Sequence, residues 1–421
     1  MKCINCGTDN KLKDRTANQG RCIKCNHLFA FEPTSMSNVQ ITDPFFAKAI
    51  ADISANNTLF FTPKQLLYFL DNRLGKSSKS ISRFGWLLPF LCINLITSLT
   101  IFIPIIVNLA FINFFYASSK STKINLVSRK QNARNLQIIG GIILVIGILL
   151  SLVSNSFRLF VIFVVMGMLP VYLGTRQLGR IELLTHEFLF SESQVKDWLA
   201  RWQQINGSIL KILPSPNQEN TPATINPDVT AYSFDRLVVC DSASIAQLLI
   251  ANNFHFENNC AILSITGYPQ SIFDTTMQML RRNADLKVYA IHDCNPRGIT
   301  LVHNLRTNAN WFLNSEIVII DIGLTPRQII ATKRGMFIQS SPESAQAAKQ
   351  LPEEVRQSLS AEELVWLESG KFVELESFSP QRILKVLQKG IAGSRDLGSD
   401  DSSLLLIGDT RNDMYVVESF G

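Results

Sequence analysis

Cys3, Cys6, Cys22 and Cys25 are the first residues whose types and spacing carry chemistry. They form two Cys-x-x-Cys pairs with fifteen residues between them. Each pair closes a tight knuckle that aims two thiolates at one point, and four thiolates suit tetrahedral Zn2+. The separation is that of a zinc ribbon, here residues 1–30. His27 offers an alternative fourth ligand, but four cysteines already complete the set. Six basic residues in this stretch oppose only Asp9 and Asp14. Four thiolates on one Zn2+ take back two charges, which leaves the ribbon weak for gripping phosphates. A protein contact and a nucleic-acid contact through the ribbon both stay open.

The second chemical stretch is VYAIHDCNPRG, Val288 to Gly298. An apolar run ends on Asp293, and Asn295, Pro296 and Gly298 follow. Metal-dependent phosphoryl-transfer sites are often built as a strand that ends in a carboxylate and breaks into a Pro/Gly turn. Asn295 stands where a second aspartate would complete a Mg2+ clamp. Earlier, the apolar run RLVVC ends on Asp241. The plain structural alternatives are a helix N-cap at Asp241 and an ordinary turn at Asn295-Pro296. His292 and Cys294 flank Asp293, and strand alternation turns them away from it.

The elements that must position these groups differ in composition along the chain. The chain has 421 residues, 46% of them hydrophobic, with a net charge of +6. Its mean hydropathy of +0.14 is high for a soluble protein. The apolar excess lies between Trp86 and Leu173. Trp86 to Tyr116 carries no charge, and Ile138 to Leu173 is broken only by SNSFR at Ser154 to Arg158. A bilayer core needs about 20 apolar helical residues. The first block therefore reads as one long span or a re-entrant hairpin, and the second as two short spans turning at Asn155. Lys76, Lys79 and Arg83 precede the first block. Lys120, Lys123, Arg129, Lys130 and Arg134 separate the blocks, and Arg176 and Arg180 follow the second. By the positive-inside rule all three flanks belong in the cytoplasm, which requires an even number of crossings in each block. The N-terminus shows no signal peptide, and Cys-x-x-Cys pairs in a reducing compartment mean metal.

Between ribbon and membrane, Asp43-Pro44 and Thr62-Pro63 each place a capping residue before a proline at the first helical position. Gln65 completes a capping box with Thr62. This stretch, 42–82, reads as a short helical adaptor without chemistry. After the membrane region, 86–174, ESQVKDWLARWQQINGSILKIL reads as a helix broken near Gly207. A Pro/Asn/Thr-rich linker runs from Pro214 to Ala231, within the segment 175–231.

From Arg236 onward, continuous apolar strands alternate with amphipathic helices: RLVVC, AILSITG, LKVYAIHD and IVIIDIG are the strands. That pattern means a parallel sheet covered on both faces. Sites in such sheets form at the carboxyl ends of strands, where Asp241 and Asp293 fall. The runs VVCD, ITGYPQSIFDTTMQMLRR, VYAIHDCNPRGITLVHNL and IDIGLTPRQI occur in that order. They resemble the Toprim domain of type IIB topoisomerase A subunits and their meiotic double-strand-break relatives. LSAEELVWLESGKFVELESF resembles the helical tail that follows it there. The resemblance covers roughly Asp235 to Gly390 and rests on order and spacing.

In that family an acid ending the first strand and an Asp-x-Asp ending the third hold Mg2+. The resemblance carries these positions to Asp241, where the family has Glu, and to Asp293 and Asn295, where it has two Asp. Two remaining carboxylates imply weak Mg2+ binding, with water and ligand phosphates completing the shell. A two-metal mechanism lacks the charge it needs. The family's winged helix with its nucleophilic tyrosine belongs upstream, where this chain has membrane segments and a linker, so DNA cleavage by a tyrosine is not predicted. VIIDIGLT and LLLIGDTRNDM also resemble haloacid-dehalogenase phosphatases, through Asp321, Asp409 and Asp413. Gly323 stands where those enzymes carry a second Asp.

The expectation is a multi-domain protein with a zinc ribbon, α-helical membrane segments and a C-terminal α/β Toprim-like domain with a parallel sheet, 232–421. It is integral to the membrane with its soluble parts in the cytoplasm, binding a nucleic acid or phosphorylated ligand. A Mg2+-dependent nuclease or phosphotransferase and a non-catalytic protein scaffold are the alternatives, and whether the chain is an enzyme stays open.

Overall fold

Four short strands, β1 Arg236–Cys240, β2 Cys260–Ser264, β3 Lys287–Ile291 and β4 Val318–Asp321, pair in parallel in the order β2-β1-β3-β4. This is a computed structural model, and it describes residues 1–36, 39–77, 86–87, 89–90, 102–121, 126–182, 186, 188–216, 235–270, 272–281, 283, 285–313, 315–332 and 336–393. Most of the linker, the region holding Asp409 and Asp413, and the middle of the first apolar block lie outside the described residues. The contacts divide the chain into two units, Met1–Arg73 with Phe188–Gly421, and Leu74–Glu187.

Strand alternation splits the sheet's side chains between two cores. Val238, Cys240, Ile262, Tyr289 and Ile291 face one way and pack with Ile245, Leu248 and Leu249 of the helix Ala243–Ala251. Helices Ala361–Glu368 and Pro380–Gly393 close the same face through Trp366, Leu367, Ile383 and Leu387. Leu237, Val239, Ala261, Leu263, Val288 and Ala290 face the other way, under Met277, Leu280, Leu305, Trp311 and Phe312. Continuous apolar runs are what a strand buried on both faces requires, and the sheet bears out the sequence reading.

The N-terminal segments belong to this same unit. Phe60 bonds the side chain of Asn252 through both its backbone groups, its N–H donating over 2.8 Å and its carbonyl accepting over 3.1 Å. Phe61 exchanges backbone hydrogen bonds with Lys211 and Leu213 at 2.9 Å each. The adaptor helix Pro63–Ser77 starts on the expected capping box, with Gln65 N–H on Thr62 Oγ1 and Thr62 N–H on Gln65 Oε1. At the earlier helix, Asp43–Ile53, the expected cap moves by one residue. Thr42 caps it, while the buried Asp43 carboxylate accepts the amides of Ala30 and Phe31 at 2.9 Å each. Two buried backbone donors at the end of the ribbon outcompete the capping role for that carboxylate. The helix Glu192–Asn206 ends at Gly207, whose φ of +85° requires glycine-like freedom.

The second unit holds the helices Phe102–Lys120, Leu126–Val153 and Phe157–Glu182. Among the described residues, two stretches are long and apolar enough to cross a membrane, Arg129–Leu152 and Phe160–Gly179. They turn at Asn155, which takes a left-handed φ of +47°, at the position where the sequence breaks. Glycines bring these helices close. A Cβ on Gly140 would lie 2.6 Å from the Gly167 carbonyl oxygen, and one on Gly174 would lie 2.7 Å from that of Ala133. Val145, Leu149, Leu152, Phe157 and Val165 are exposed apolar side chains on this hairpin.

Candidate functional site

The ribbon brings its four cysteines together, with their sulfurs all within 4.8 Å of one another. Two matching knuckles do this. In each, an amide returns to the first cysteine's carbonyl (Gly7 to Cys3, Asn26 to Cys22), and both turn residues take a positive φ. Cys3 Sγ lies 3.6 Å from Cys25 Sγ, and Cys6 Sγ 3.5 Å from Cys22 Sγ. Four sulfurs at ~2.3 Å from one Zn2+ would stand ~3.8 Å apart, so the quartet needs almost no adjustment to close on a metal ion. Desolvation pushes the Cys3 thiol up to about 12. At Cys22 desolvation acts the same way, but the amides of Cys25 and Lys24 and the Asn10 side chain outweigh it and hold the thiol at about 6. Four soft donors at this spacing fit a metal ion in geometry and in chemistry.

At the sheet, Asp241 follows β1 directly and Asp293 lies two residues beyond β3. The structure joins them: Asp293 N–H donates to Asp241 Oδ2 over 2.7 Å. Asp241 is not the cap of the next helix, because Ser242 Oγ accepts the Ile245 amide there. Its Oδ1 is buried without a hydrogen-bond partner. Asn295 is a helix cap, with Oδ1 taking the Gly298 amide at 2.7 Å, and its amide nitrogen stands 3.5 Å from Asp293 Oδ2. Gly298 admits this turn, since a Cβ there would fall 2.2 Å from the Asp293 carbonyl oxygen.

The tail supplies two acids that sequence reasoning missed. Cys294 and Val373 exchange backbone hydrogen bonds of 2.9 and 3.1 Å, and Leu375 N–H donates to Asp293 Oδ1 over 2.7 Å. This pairing lays Glu374 and Glu376 beside the aspartates. The adaptor helix, read as free of chemistry, supplies their partners. Lys64 Nζ lies 2.7 Å from Glu374 Oε1, Tyr68 Oη donates to Glu374 Oε2 over 2.7 Å, and Thr62 Oγ1 donates to Glu376 Oε1 over 2.6 Å. Gln65 Nε2 donates to the Phe378 carbonyl over 3.0 Å, tying helix to tail.

Burial and mutual repulsion push these acids toward their neutral forms. Burial raises the pKa of Asp241. Burial, reinforced by Asp241 and Glu374, raises that of Asp293 well above the ordinary value. Glu376 is raised by burial as well. Desolvation pulls Lys64 down, yet Glu374, Glu376 and Asp293 overcome it and raise its pKa, so the ammonium stays charged.

Beneath Asp293, His292 is buried, with Nδ1 2.8 Å from the Asp293 carbonyl oxygen and Nε2 3.0 Å from Asp321 Oδ1. Asp321 also accepts the Gly323 amide at 2.9 Å, so the carboxylate considered for a phosphatase nucleophile is committed to the acid loop's foundation. Gly323 is close against the imidazole, where a Cβ would meet Cδ2 at 2.3 Å.

Mg2+ takes an octahedral shell of oxygens at ~2.0–2.1 Å. Among the described residues, the cysteine quartet is the only group of three or more ligating side chains converging within 4.8 Å. The acids instead accept protein amides, and a lysine already supplies positive charge. They do not present three convergent side-chain ligands to one ion, although Asp241 Oδ1 remains unpartnered. The extended pattern K-F-V-E-L-E, with acids two residues apart, was the one signal for Glu374 and Glu376. Nothing local marks Lys64.

No curated protein matches the chain. Residues 237–389 match the family model for the topoisomerase 6 A-subunit/Spo11 Toprim domain, so this part of the chain is similar to that domain, and the four-cysteine ribbon precedes it.

Proposed function

We propose that this protein is a membrane-anchored recognition module that binds a nucleic acid or another phosphorylated ligand through its Toprim domain without cleaving it. The observation that carries this reading is that one oxygen of each of Asp241 and Asp293 is given to a backbone amide, with Lys64 held at the neighbouring Glu374. A phosphoryl-transfer site needs carboxylates free to hold metal ions, whereas a binding site does not. Positive charge for a phosphate backbone is available on the same unit. A cleft of about 830 Å3 between ribbon and helix Glu192–Asn206 is lined by Arg21, His27 and Arg201, with Asp197 as its acid.

Zn2+ is the ion assigned to Cys3, Cys6, Cys22 and Cys25, since four thiolates are its preferred closed structural set. The apolar hairpin supports insertion into a bilayer. Arg129 and Lys130 lie near its start and Arg176 near its end, which supports both ends on the cytoplasmic side. The test is a titration of the full chain, in detergent, with labelled single-stranded and duplex oligonucleotides at several salt concentrations, with and without Mg2+. Binding that weakens with salt, and no cleavage, is expected. Mg2+-dependent strand cleavage would favour the nuclease or phosphotransferase alternative, and absence of binding would favour a protein scaffold.

A further inference from the structure

The Toprim acids contain a cation that belongs to the protein. Lys64 reaches them from the adaptor helix, 310 residues away in sequence from Glu374. Its ammonium lies 2.7 Å from Glu374 Oε1, and Tyr68, one helical turn further on, binds the other oxygen of the same carboxylate. Thr62, at the start of the helix, binds Glu376. Three residues on one helix end thus engage both tail acids. Glu374 lies next to Leu375, whose amide holds Asp293, so lysine, glutamate and the two aspartates form one connected network.

Four carboxylates gathered at strand ends repel one another unless a cation compensates them. A divalent ion is one solution, and an ammonium held by the fold is another. The donor geometry supports the second, because the carboxylates are tied by amides and hydroxyls rather than opened around a common centre.

We propose that Lys64 is the resident cation of this Toprim domain: its ammonium takes the charge-compensating role of a divalent ion, excludes that ion, and pins the adaptor helix to the acids. The inference goes beyond ligand binding and stands or falls separately, because its readout is metal occupancy without nucleic acid. Removing the ammonium leaves Glu374 without its cation beside Asp293 and Asp241, whose Oδ1 is buried and unpartnered, while His292 stays engaged with Asp321 beneath the loop. Such a set is a divalent-cation site in waiting, and Mn2+ is a suitable probe because it favours carboxylate and water oxygens.

The experiment uses full-length, zinc-loaded protein in detergent, titrated with Mn2+ and read by the loss of the free-ion paramagnetic resonance signal. Melting curves are recorded in parallel. Wild type and Lys64→Arg are expected to bind no Mn2+ at this site. Lys64→Met is expected to bind one ion per chain at Mn2+ concentrations where wild type binds none, and to melt higher when Mn2+ is added. Lys64→Gln replaces it if the methionine variant does not fold, and Asp293→Asn on that background should remove the gained ion. One Mn2+ per wild-type chain with the affinity of the variant would overturn the proposal. So would folded Lys64→Met or Lys64→Gln protein that binds none.

Discussion

His292 offers a quantitative test of how the acid loop is held. Its Nδ1 faces the Asp293 carbonyl and its Nε2 faces Asp321, and both neighbours are acceptors. The doubly protonated imidazolium suits both neighbours, donating from Nδ1 to the carbonyl and facing the Asp321 carboxylate as an ion pair through Nε2. Burial alone would lower its pKa, but Asp321, the Asp293 carbonyl and Asp241 outweigh that and hold it at about 9 against an ordinary 6.5. A folded pKa above the unfolded one stabilises the fold fully below the unfolded value. That contribution shrinks as pH rises above about 6.5 and is gone once pH has passed through about 9. The gap between the two values corresponds to roughly 3 kcal/mol. For a domain of this size each kcal/mol moves the melting temperature by about 2–4 °C, so the expected fall is roughly 6–12 °C. The assay is thermal unfolding of the full chain at constant ionic strength from pH 6 to pH 9.5, followed by tryptophan fluorescence. His292→Gln, which carries no charge, should melt lower than wild type at pH 6 and approach it above pH 9. Parallel profiles for the two proteins across that range would refute an imidazolium under Asp293.

Two further outcomes follow from the ribbon and the hairpin. Protein purified without chelators should contain one Zn2+ per chain, and Cys22→Ser should lose both the ion and the ribbon's protection from proteolysis; metal analysis showing no zinc in wild type would sink the assignment. Reporters fused after residue 85, at Asn125 and after residue 185 should all report the cytoplasm, and an external signal from the last would rule out an even number of crossings.

The parts legible in the sequence are those governed by short-range rules. Cysteine spacing marked the ribbon because each knuckle is a local turn, and the structure brings the same four residues together. The apolar runs from Arg236 onward predicted a parallel sheet because burial on both faces acts on each strand separately. The break at SNSFR marked the hairpin turn, and Thr62 with Gln65 marked a helix start, through contacts between residues a few positions apart. The cap expected at Asp43 falls on Thr42 instead, because the Asp43 carboxylate is claimed by amides twelve and thirteen residues earlier.

Tertiary structure alone decided the state of the acid site. Read along the chain, Lys64 is a basic residue near a helix start, with nothing to separate it from a solvated one. It becomes the partner of Glu374 only because the adaptor docks against the tail. Asp293 is likewise set by Leu375, 82 residues away, whose amide occupies an oxygen that spacing had offered to a metal. A carboxylate's availability depends on which donors surround it, and that is a property of the packed chain rather than of any segment within it.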